Sequence, residues 1–371
     1  MKSSLDIAVL PGDGIGREVM GACLELLEAA AKACKIPKLA CTVYPAGAQH
    51  YAASGEALPK ATLDAARKAD AVLFGAMGWP DIRYPDGTEP IPQLDLRMAL
   101  DLYAGVRPIR WFPGLPRVLS DPRAEKMDFV LIREQTEGLF YARGRGRVEG
   151  DAEAYDTMQI TRRGTSRVSE FAFRLAAQRK AEGRPSKVTC IDKSNMFTSM
   201  AFFRRVFDDV AAKHGDIERG YAYVDAMALD MVRKPWTLGV MVTENMFGDI
   251  LSDLAAGLIG GMGMASSGDI GDDHGLFQPA HGTAPDIAGQ GKANPSAMFL
   301  SAALMLDWLA HRHGEPSLRH CARVIEKAVE HVLANRVAIP MEYGGAAGTA
   351  AMTSAVIAAL PVVAADASLA A

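Results

Sequence analysis

Short apolar runs typical of strands alternate along most of this chain with longer amphipathic stretches typical of helices. LDIAVL precedes REVMGACLELLEAAAKACK, LACTVY precedes LPKATLDAARKAD, and further strand-like runs follow at AVLFGAMG, DFVLIRE, SKVTCID and TLGVMVTE. A helical period that alternates with short β-like runs is typical of units that place helices against a largely parallel sheet. The order of these runs therefore predicts an α/β architecture with a parallel or mixed sheet.

Length and composition narrow the class of protein. A chain of 371 residues is long for a single core, so two or three domains are expected. With 49% hydrophobic residues, 23% charged residues and a formal net charge of -4, the chain resembles an ordinary globular protein and not one that coats nucleic acid. No apolar run reaches the roughly 18 residues of a membrane span, and the N-terminus does not resemble a signal peptide.

The cysteines and one polar segment give further expectations about the compartment and the subunit interface. Five cysteines, an odd number without a CxxC pair, are interpreted as reduced thiols. We therefore expect a cytoplasmic protein without a nucleic-acid or membrane partner. A polar segment rich in Arg and Gly, at about residues 141–165, is expected to be an insertion or an arm that clasps a second subunit.

The stretch ENMFGDILSDLAAG carries two acids, Asp249 and Asp253, in an otherwise apolar or small run. Residues four apart lie on one face of a helix, roughly 5–6 Å from each other, so two carboxylates there repel unless a cation lies between them. This spacing suggests a metal site. The alternative is that the acids favour the dipole of a first helical turn, which suits Asp249 better than Asp253.

Three arginines are candidates for substrate binding: Arg97 and Arg107 in LDLRMALDLYAGVRPIR, and Arg133 at the end of DFVLIR. Guanidinium groups bind carboxylates through two hydrogen bonds, so three of them near one cleft would suit a substrate with two or more carboxylates. The alternative is three surface salt bridges. Arg133 is the hardest to explain that way, because it ends a run that looks buried.

Lys193 in TCIDKSNMF follows another strand-like run, and Asn195 lies beside it. A lysine whose pKa is depressed by neighbouring positive charge can act as a general base. Asp225 in YAYVDAMALDMV is an acid framed by apolar residues, either a third oxygen ligand of a metal or a helix cap. Ligands of such sheets bind beyond the carboxyl ends of strands, so these loops are expected to converge.

Two glycine-rich segments are candidate cofactor loops. LPGDGIG lacks the spacing of the dinucleotide-binding fingerprint, so a tight turn is as good an interpretation as a ligand loop. FQPAHGTAPDIAGQGKANP contains His281, Gly282, Asp286 and Asn294 in a polar loop that could wrap a nucleotide. A single histidine is more often structural than functional, so His281 alone is weak support.

Seven segments together resemble the metal-dependent β-decarboxylating dehydrogenases, the family of 3-isopropylmalate, isocitrate, homoisocitrate and tartrate or D-malate dehydrogenases. The segments occur in the order and spacing of that family over nearly the whole chain: LPGDGIG, LRMALDLYAGVRP, IREQTEG, DKSN, VDAMA, FGDILSDLAAGLIGGMG and HGTAPDIAGQGKANP. The resemblance implies an isopropylmalate-dehydrogenase-like two-domain α/β fold with a mixed sheet, which is not a Rossmann fold. It implies an NAD-binding domain from residues 1–102 and 260–371, and a central domain, 103–259, with the dimer interface.

The resemblance also implies roles for individual residues. Arg97, Arg107 and Arg133 would bind the carboxylates of a hydroxy-dicarboxylate substrate. A homodimer with shared active sites is implied, in which Asp249 and Asp253 hold Mg²⁺ or Mn²⁺ together with the catalytic Asp225 of the partner subunit, while the partner's Lys193 is the base. The implied cofactor-binding residues are His281, Gly282, Thr283, Ala284, Asp286, Asn294 and Asn195. A carboxylate at Asp286 would repel a 2′-phosphate, so NAD is expected over NADP.

Phe140 departs from the family pattern, because the family usually has a tyrosine seven residues after the arginine of the IREQTEG motif, as the acid of the final protonation. Tyr141 is adjacent, but in an extended segment its side chain would point to the opposite face. We expect either a local shift that brings Tyr141 inward as a substitute or a slower protonation through water.

Gln93 and Leu94 fall where isopropylmalate enzymes place two apolar residues against the substituent of the substrate. A buried amide facing an isopropyl group would lose about 1–3 kcal/mol, which makes a hydroxyl- or carboxyl-bearing substituent plausible. Gly105 and Gln278 replace the usual Asn and Glu near the nicotinamide. The leading prediction is NAD-dependent oxidative decarboxylation of a 3-substituted (2R)-malate, as in 3-isopropylmalate dehydrogenase; the alternatives are homoisocitrate, isocitrate or tartrate/D-malate dehydrogenase, or an inactive ligand-binding homologue.

Overall fold

The computed structural model describes residues 2–366, which form a ten-stranded mixed sheet, a separate two-stranded hairpin and helices packed around the sheet. The strands are β1 (Ser4–Gly12), β2 (Lys38–Val43), β3 (Ala71–Ala76), β4 (Ala104–Arg110), β5 (Asp128–Glu134), β6 (Arg147–Glu149), β7 (Glu153–Tyr155), β8 (Val188–Asp192), β9 (Arg219–Tyr223), β10 (Val240–Thr243), β11 (Ser266–Ile270) and β12 (Gly275–Pro279). Strand β3 is buried at all six positions, so both faces of the sheet are covered there.

The α-helices are of very different lengths and supply most of the cover of the sheet. They are α1 (Ile15–Cys34), α2 (Ala48–Ser54), α3 (Lys60–Lys68), α4 (Pro92–Ala99), α5 (Arg162–Ala181), α6 (Thr198–Ala211), α7 (Val224–Arg233), α8 (Asn245–Leu258), α9 (Ser296–His313), α10 (Pro316–Ala334) and α11 (Thr349–Ala364). Within residues 2–366, none of them has both the length and the apolar character needed to cross a lipid bilayer.

The strand order of the large sheet is β2-β1-β3-β12-β11-β4-β5-β10-β8-β9. Strand β11 is antiparallel to both of its neighbours, and β4 is antiparallel to β5, whereas the remaining pairs are parallel. The first five strands in this order lie before residue 77 or after residue 265, and the other five lie within residues 104–243. The prediction of a mixed sheet is therefore confirmed.

All six strand-like runs of the sequence form strands, and the two amphipathic runs quoted with them form helices α1 and α3. Four strands of the large sheet were not anticipated: β4, β9, β11 and β12. Their sequences, AGVRPIR, RGYAY, SSGDI and GLFQP, contain Gly, Pro or charged residues that lower strand propensity. Neighbouring strands compensate for this, and β11 and β12 are buried at every position.

Candidate active site

One cleft of about 340 Å³ lies where the two halves of the sheet meet. It gathers many of the residues that the sequence singled out: Gln93, Leu94, Arg97, Arg107, Arg133, Phe140, Asp249, Asp253, Gln278, His281 and Gly282. The predicted substrate residues, the two acids four apart and part of the predicted cofactor loop therefore share one space.

The register of the sheet places the central side chains of the cleft on one face. Gly105 on β4 lies opposite Arg133 on β5 and opposite Asp269 on β11. On the far side of β11, Ser267 lies opposite Gln278 on β12. Directly opposed residues point to the same face of a sheet, as do residues two apart along one strand. The cleft therefore lies over one face of the sheet. It is not confined to the region beyond the carboxyl ends of the strands, where the sequence predicted the ligand to bind.

Nothing in the sequence singled out Asp269, yet this residue holds two of the predicted arginines. Its carboxylate is fully buried and accepts hydrogen bonds from Arg97 Nε at 2.7 Å, from both Nη atoms of Arg107 at 3.2 Å and from Gln278 Nε2 at 3.0 Å. Burial by itself would raise the pKa of Asp269, but Arg97 and Arg107 outweigh it and lower this pKa to about 2. Asp269 is therefore charged, and both guanidinium groups are held in place.

Arg133 reaches the cleft through a chain of buried polar groups. Its Nε donates to Asn245 Oδ1 at 2.9 Å, and the amide of Asn245 donates to the carbonyl of Glu137 at 2.9 Å. Its Nη1 also contacts the Asp249 carboxylate. Arg97, Arg107 and Arg133 are only 7%, 6% and 4% exposed, so the alternative of three surface salt bridges is wrong.

Helix α8 presents the two acids toward the cleft. It begins at Asn245, and the side chain of Glu244 caps it by accepting hydrogen bonds from the backbone N–H groups of Met246 and Phe247. Because Glu244 already fills the role of the acid at the helix N-terminus, the dipole does not account for Asp249 and Asp253. Burial and the charge of Asp249 both raise the pKa of Asp253, while the Arg133 guanidinium contacts Asp249; two carboxylates on one face of the helix suit a divalent cation.

Asp225, the residue predicted to complete a metal site with Asp249 and Asp253, lies apart from them in this chain. Among residues 2–366 no cluster of three or more His, Cys, Asp or Glu side chains has the arrangement needed to hold a metal ion. Asp225, the predicted third ligand, lies in the first turn of α7 and its side chain is 68% exposed. Asp225 therefore does not join Asp249 and Asp253 within this chain.

Lys193 forms an ion pair with Asp225, with 2.7 Å between Nζ and Oδ1, and neither residue lines the cleft of its own chain. Strand β8, which Lys193 follows, is two strands away from β5, or roughly 10 Å at the usual spacing. The loop is anchored by the buried Asp192, which binds Arg204 through both carboxylate oxygens and accepts the N–H of Ser194. The lysine is thus paired with Asp225 and does not line the cleft that holds the arginines.

Phe140, at the usual tyrosine position, lines the cleft, and the Arg133 guanidinium lies 5.1 Å from the centre of its ring. Tyr141 does not line the cleft; the Arg145 guanidinium lies 4.0 Å from the centre of its ring. The local shift that would bring the Tyr141 hydroxyl inward is therefore not present in this structure.

The first glycine-rich segment is a tight turn that packs against the predicted cofactor loop. Gly14 has φ of +53°, and a Cβ there would lie 2.2 Å from the carbonyl oxygen of Thr283, which accepts the N–H of Ile15. The buried Asp13, which the sequence did not single out, accepts the N–H groups of Ala48, Gln49 and Gly78. The GDG turn thus sets the position of the loop that follows β12.

The remaining predicted cofactor residues differ in their surroundings. Burial lowers the pKa of His281, and its buried Nε2 has no hydrogen-bond partner within residues 2–366, which suits a polar group of a bound nucleotide. Ala284 adopts a positive φ of +37° in the same loop, and Asp286 is exposed. Asn294 is buried and donates to Glu342, whereas Asn195 is exposed beside Lys193 and away from this loop.

The comparison with known families agrees with this geometry. A model of the isocitrate/isopropylmalate dehydrogenases matches residues 6–359. The chain belongs to the isocitrate/isopropylmalate dehydrogenase family. This membership places it among the oxidoreductases and confirms both the resemblance seen in the seven segments and the predicted fold class.

Relatives of this dehydrogenase family align over most of the chain. The 3-isopropylmalate/3-methylmalate dehydrogenase of Methanocaldococcus jannaschii is 41% identical over 94% of this chain and 97% of its own length. The 3-isopropylmalate dehydrogenase of Rhodococcus opacus is 41% identical over 90% of this chain and 95% of its own. The solved isocitrate dehydrogenase of Methylococcus capsulatus has a TM-score of 0.83 and 34% identity, covering 96% of this chain and 99% of its own.

Proposed function

We propose that this protein catalyses the NAD- and Mg²⁺- or Mn²⁺-dependent oxidative decarboxylation of a (2R)-malate with a substituent at C3, the reaction of 3-isopropylmalate dehydrogenase. The observation that carries this proposal is the single cleft in which three buried arginines face two carboxylates four residues apart. The names of the relatives from Methanocaldococcus jannaschii and Rhodococcus opacus support it.

In the proposed reaction, the guanidinium groups of Arg97, Arg107 and Arg133 bind and orient the substrate carboxylates. Lys193 of the partner subunit accepts the proton of the C2 hydroxyl, and NAD held by the loop from His281 to Ala284 would supply the hydride acceptor for C2. Asp249 and Asp253 would hold the divalent ion, which supplies Lewis acidity at the C2 oxygen. The arginines, nearly dry and already ordered, stabilise negative charge better than the same groups in water.

The proposal of a homodimer with shared active sites rests on an apolar surface next to the site. Leu229 and Val232 on α7 and Ile250 on α8 are large hydrophobic residues that are exposed in the single chain. These helices also carry Asp225, Asp249 and Asp253. Packing the pair against its copy would bury this surface and bring the Lys193–Asp225 pair toward the cleft of the other chain.

The proposal also covers the cofactor, the domain boundaries and the cellular compartment. We propose NAD because the loop from His281 to Ala284 borders the cleft and the exposed Asp286 would repel a 2′-phosphate. We also propose that the two halves of the sheet correspond to the predicted domains, 1–102 with 260–371 and 103–259, and that the protein is cytoplasmic.

One observation favours a second substrate. The side-chain oxygen Oε1 of Gln93 is buried beside the cleft and has no hydrogen-bond partner within the described residues. An unpartnered buried acceptor lowers affinity for a purely apolar group and raises it for a hydrogen-bond donor. A malate with a hydroxyl at C3, as in tartrate, would supply that donor.

A panel of substrates tests the proposal. Purified protein with NAD and Mn²⁺ receives 3-isopropylmalate, 3-methylmalate, tartrate, D-malate or isocitrate, and NADH is followed by absorbance. We expect NADH with at least one malate, much less with NADP, and a loss of about 100-fold or more in Lys193→Met and Asp249→Asn. Lys60→Met, which removes an exposed ammonium paired with Asp64, is the matched control and should keep parental activity.

Absence of NADH with every acid would favour the inactive homologue. Parental activity in both site variants would instead show that these residues are not the catalytic ones.

A further inference from the structure

We propose that Asp269 is a positioning and specificity-determining residue that makes the cleft accept dicarboxylates, such as 3-substituted malates, in preference to tricarboxylates such as isocitrate. The inference rests on the proposed function and names the charge of its substrate. Asp269 does this in two ways: it orders Arg97 and Arg107 before the substrate arrives, and it cancels one positive charge at the cleft.

The ordering follows from the contacts of Asp269. Its Oδ2 accepts from Arg97 Nε at 2.7 Å, and its Oδ1 accepts from both Nη atoms of Arg107 at 3.2 Å. Arginine has many rotamers, and binding that immobilises a free one costs entropy. Because Asp269 is fully buried, it holds both side chains in place without competition from water.

Arg97 still has donors for a ligand. It uses Nε for Asp269, and within residues 2–366 no hydrogen bond engages its Nη atoms. Arg97 lines the cleft although it is only 7% exposed. One side of its guanidinium is therefore fixed by the protein and the other remains available to a substrate carboxylate.

Among the side chains that line the cleft or hydrogen-bond to its arginines, positive and negative charges balance in the free chain. Three guanidinium groups, those of Arg97, Arg107 and Arg133, are matched by three carboxylates, those of Asp249, Asp253 and Asp269. A divalent cation adds two positive charges, which two substrate carboxylates would balance. A third carboxylate would leave one uncompensated negative charge in a partly buried site, which is unfavourable. A Lys193 that acts as the base carries no charge, so the partner's Asp225 would add a negative charge and make a third substrate carboxylate still less favourable.

Gln278 supports the assignment of this role to Asp269. The resemblance to the family leads one to expect glutamate at position 278, but this chain has glutamine, whose Nε2 donates to Asp269 at 3.0 Å. The two residues lie on neighbouring strands and on one face, since Gln278 is opposite Ser267. The acid that orders the arginines thus lies on β11, with an amide on β12 as its hydrogen-bond partner.

Variants that remove the negative charge of Asp269, or place it at position 278 instead, test the inference. The values of kcat and KM are measured for the best malate and for isocitrate in the parent, in Asp269→Asn and in the double variant Asp269→Asn/Gln278→Glu. We expect the malate-to-isocitrate ratio of kcat/KM to fall about tenfold or more in Asp269→Asn, mainly through KM, and to recover in the double variant. Asp273→Asn, which alters a highly exposed acid of the same segment, should leave the ratio unchanged.

A binding assay gives a readout that needs no turnover. The melting temperature is measured with Mg²⁺ and either succinate or propane-1,2,3-tricarboxylate. The parent should be stabilised more by succinate, and Asp269→Asn more by the tricarboxylate. Gln278→Glu alone, which adds a carboxylate beside Asp269, covers the case in which Asp269→Asn fails to fold and should weaken the response to both acids.

The inference is overturned if Asp269→Asn keeps the parental ratio, or if it lowers both activities equally and the double variant restores nothing. If Asp269→Asn fails to fold, an unchanged response of Gln278→Glu overturns it. If the parent forms no NADH with any acid, the proposed function fails, while the binding assay still decides the role of Asp269.

Discussion

At the scale of single residues, Phe140 shows how one missing oxygen shapes the expected chemistry. Its ring lines the cleft beside Arg133, and the neighbouring Tyr141 packs elsewhere against Arg145. A proton for the decarboxylated product must therefore come from water or from another group. A positioned general acid typically accelerates proton transfer by about 10²–10⁴-fold. A tyrosine hydroxyl at position 140 would therefore increase the rate of the final protonation.

We predict that Phe140→Tyr raises kcat several-fold while KM changes little, because the added hydroxyl would lie in the cleft and act after the substrate binds. Steady-state NADH formation measures both constants. Tyr141→Phe is the matched control and should keep the parental kcat. A lower kcat in Tyr141→Phe would mean that Tyr141 already serves as the acid.

Glu134 is a buried carboxylic acid whose raised pKa makes the stability of the protein depend on pH. It is 1% exposed, and burial raises its pKa to about 7, although it accepts the N–H groups of Thr136 and Glu137. The folded state therefore binds a proton that the unfolded state releases near its ordinary pKa of about 4.3. The stability contributed by this group is complete below that pKa and is lost as pH rises through about 7.

We predict that Glu134→Gln flattens the dependence of unfolding free energy on pH between about 5 and 8. The parent should lose stability relative to the variant as pH rises through this window, because only the parent carries the titrating carboxyl. Urea unfolding at pH 5, 6, 7 and 8 measures the difference. Parallel curves for the two proteins would contradict a raised pKa at Glu134.

At the scale of elements, helix α8 lies very close to β5 because of one glycine. A Cβ at Gly248 would lie 2.6 Å from Cγ and 2.7 Å from Cβ of Arg133. The helix therefore passes directly over the stem of this arginine, and the Arg133 guanidinium emerges beside Asp249. The distance between helix and strand sets the geometry of the substrate and metal groups together.

We predict that Gly248→Ala destabilises the protein by about 1–3 kcal/mol and raises KM for the substrate, because the added methyl group must displace Arg133 or the helix. Urea unfolding and steady-state kinetics measure the two effects. Gly21→Ala on the exposed face of α1, where a Cβ meets no atom within 4 Å, is the matched control. It should stabilise by about 0.5–1 kcal/mol, and equal effects of the two changes would contradict the close approach.

At the scale of the whole molecule, the sheet separates the proposed catalytic groups. Arg133 and Lys193 follow β5 and β8, with β10 between them, so one chain does not bring its own lysine to its own arginines. The apolar surface on α7 and α8 offers a way to close this gap with a second copy. A dimer of this kind makes the two sites depend on each other in a way that can be measured.

We predict that mixing two inactive variants restores activity. In a dimer of Lys193→Met with Asp249→Asn, one of the two shared sites has both residues intact and the other has neither. With random pairing, co-refolded chains should recover about a quarter of parental turnover if the dimer is symmetric. A mixture as inactive as each variant alone would show that Lys193 and Asp249 act within one chain.

The sequence determined the class of fold and most residues of the cleft. Strands such as DFVLIRE and helices such as α1 carry their own periodicity, so local pattern was sufficient to predict them. The four strands it did not predict are held by their neighbours, and local propensity carries little of that information. Asp249 and Asp253 were recognisable because their spacing on one helix is itself a local property.

Only the tertiary structure decided what surrounds those residues. Asp269 is 162 residues from Arg107 along the chain, and they meet because β11 and β4 are paired in the sheet. The separation of Lys193 from the cleft likewise follows from strand order, and the choice of Glu244 as the cap of α8 from where the helix begins. Contacts between distant segments depend on the packing of the whole sheet, and no local pattern of residues specifies them.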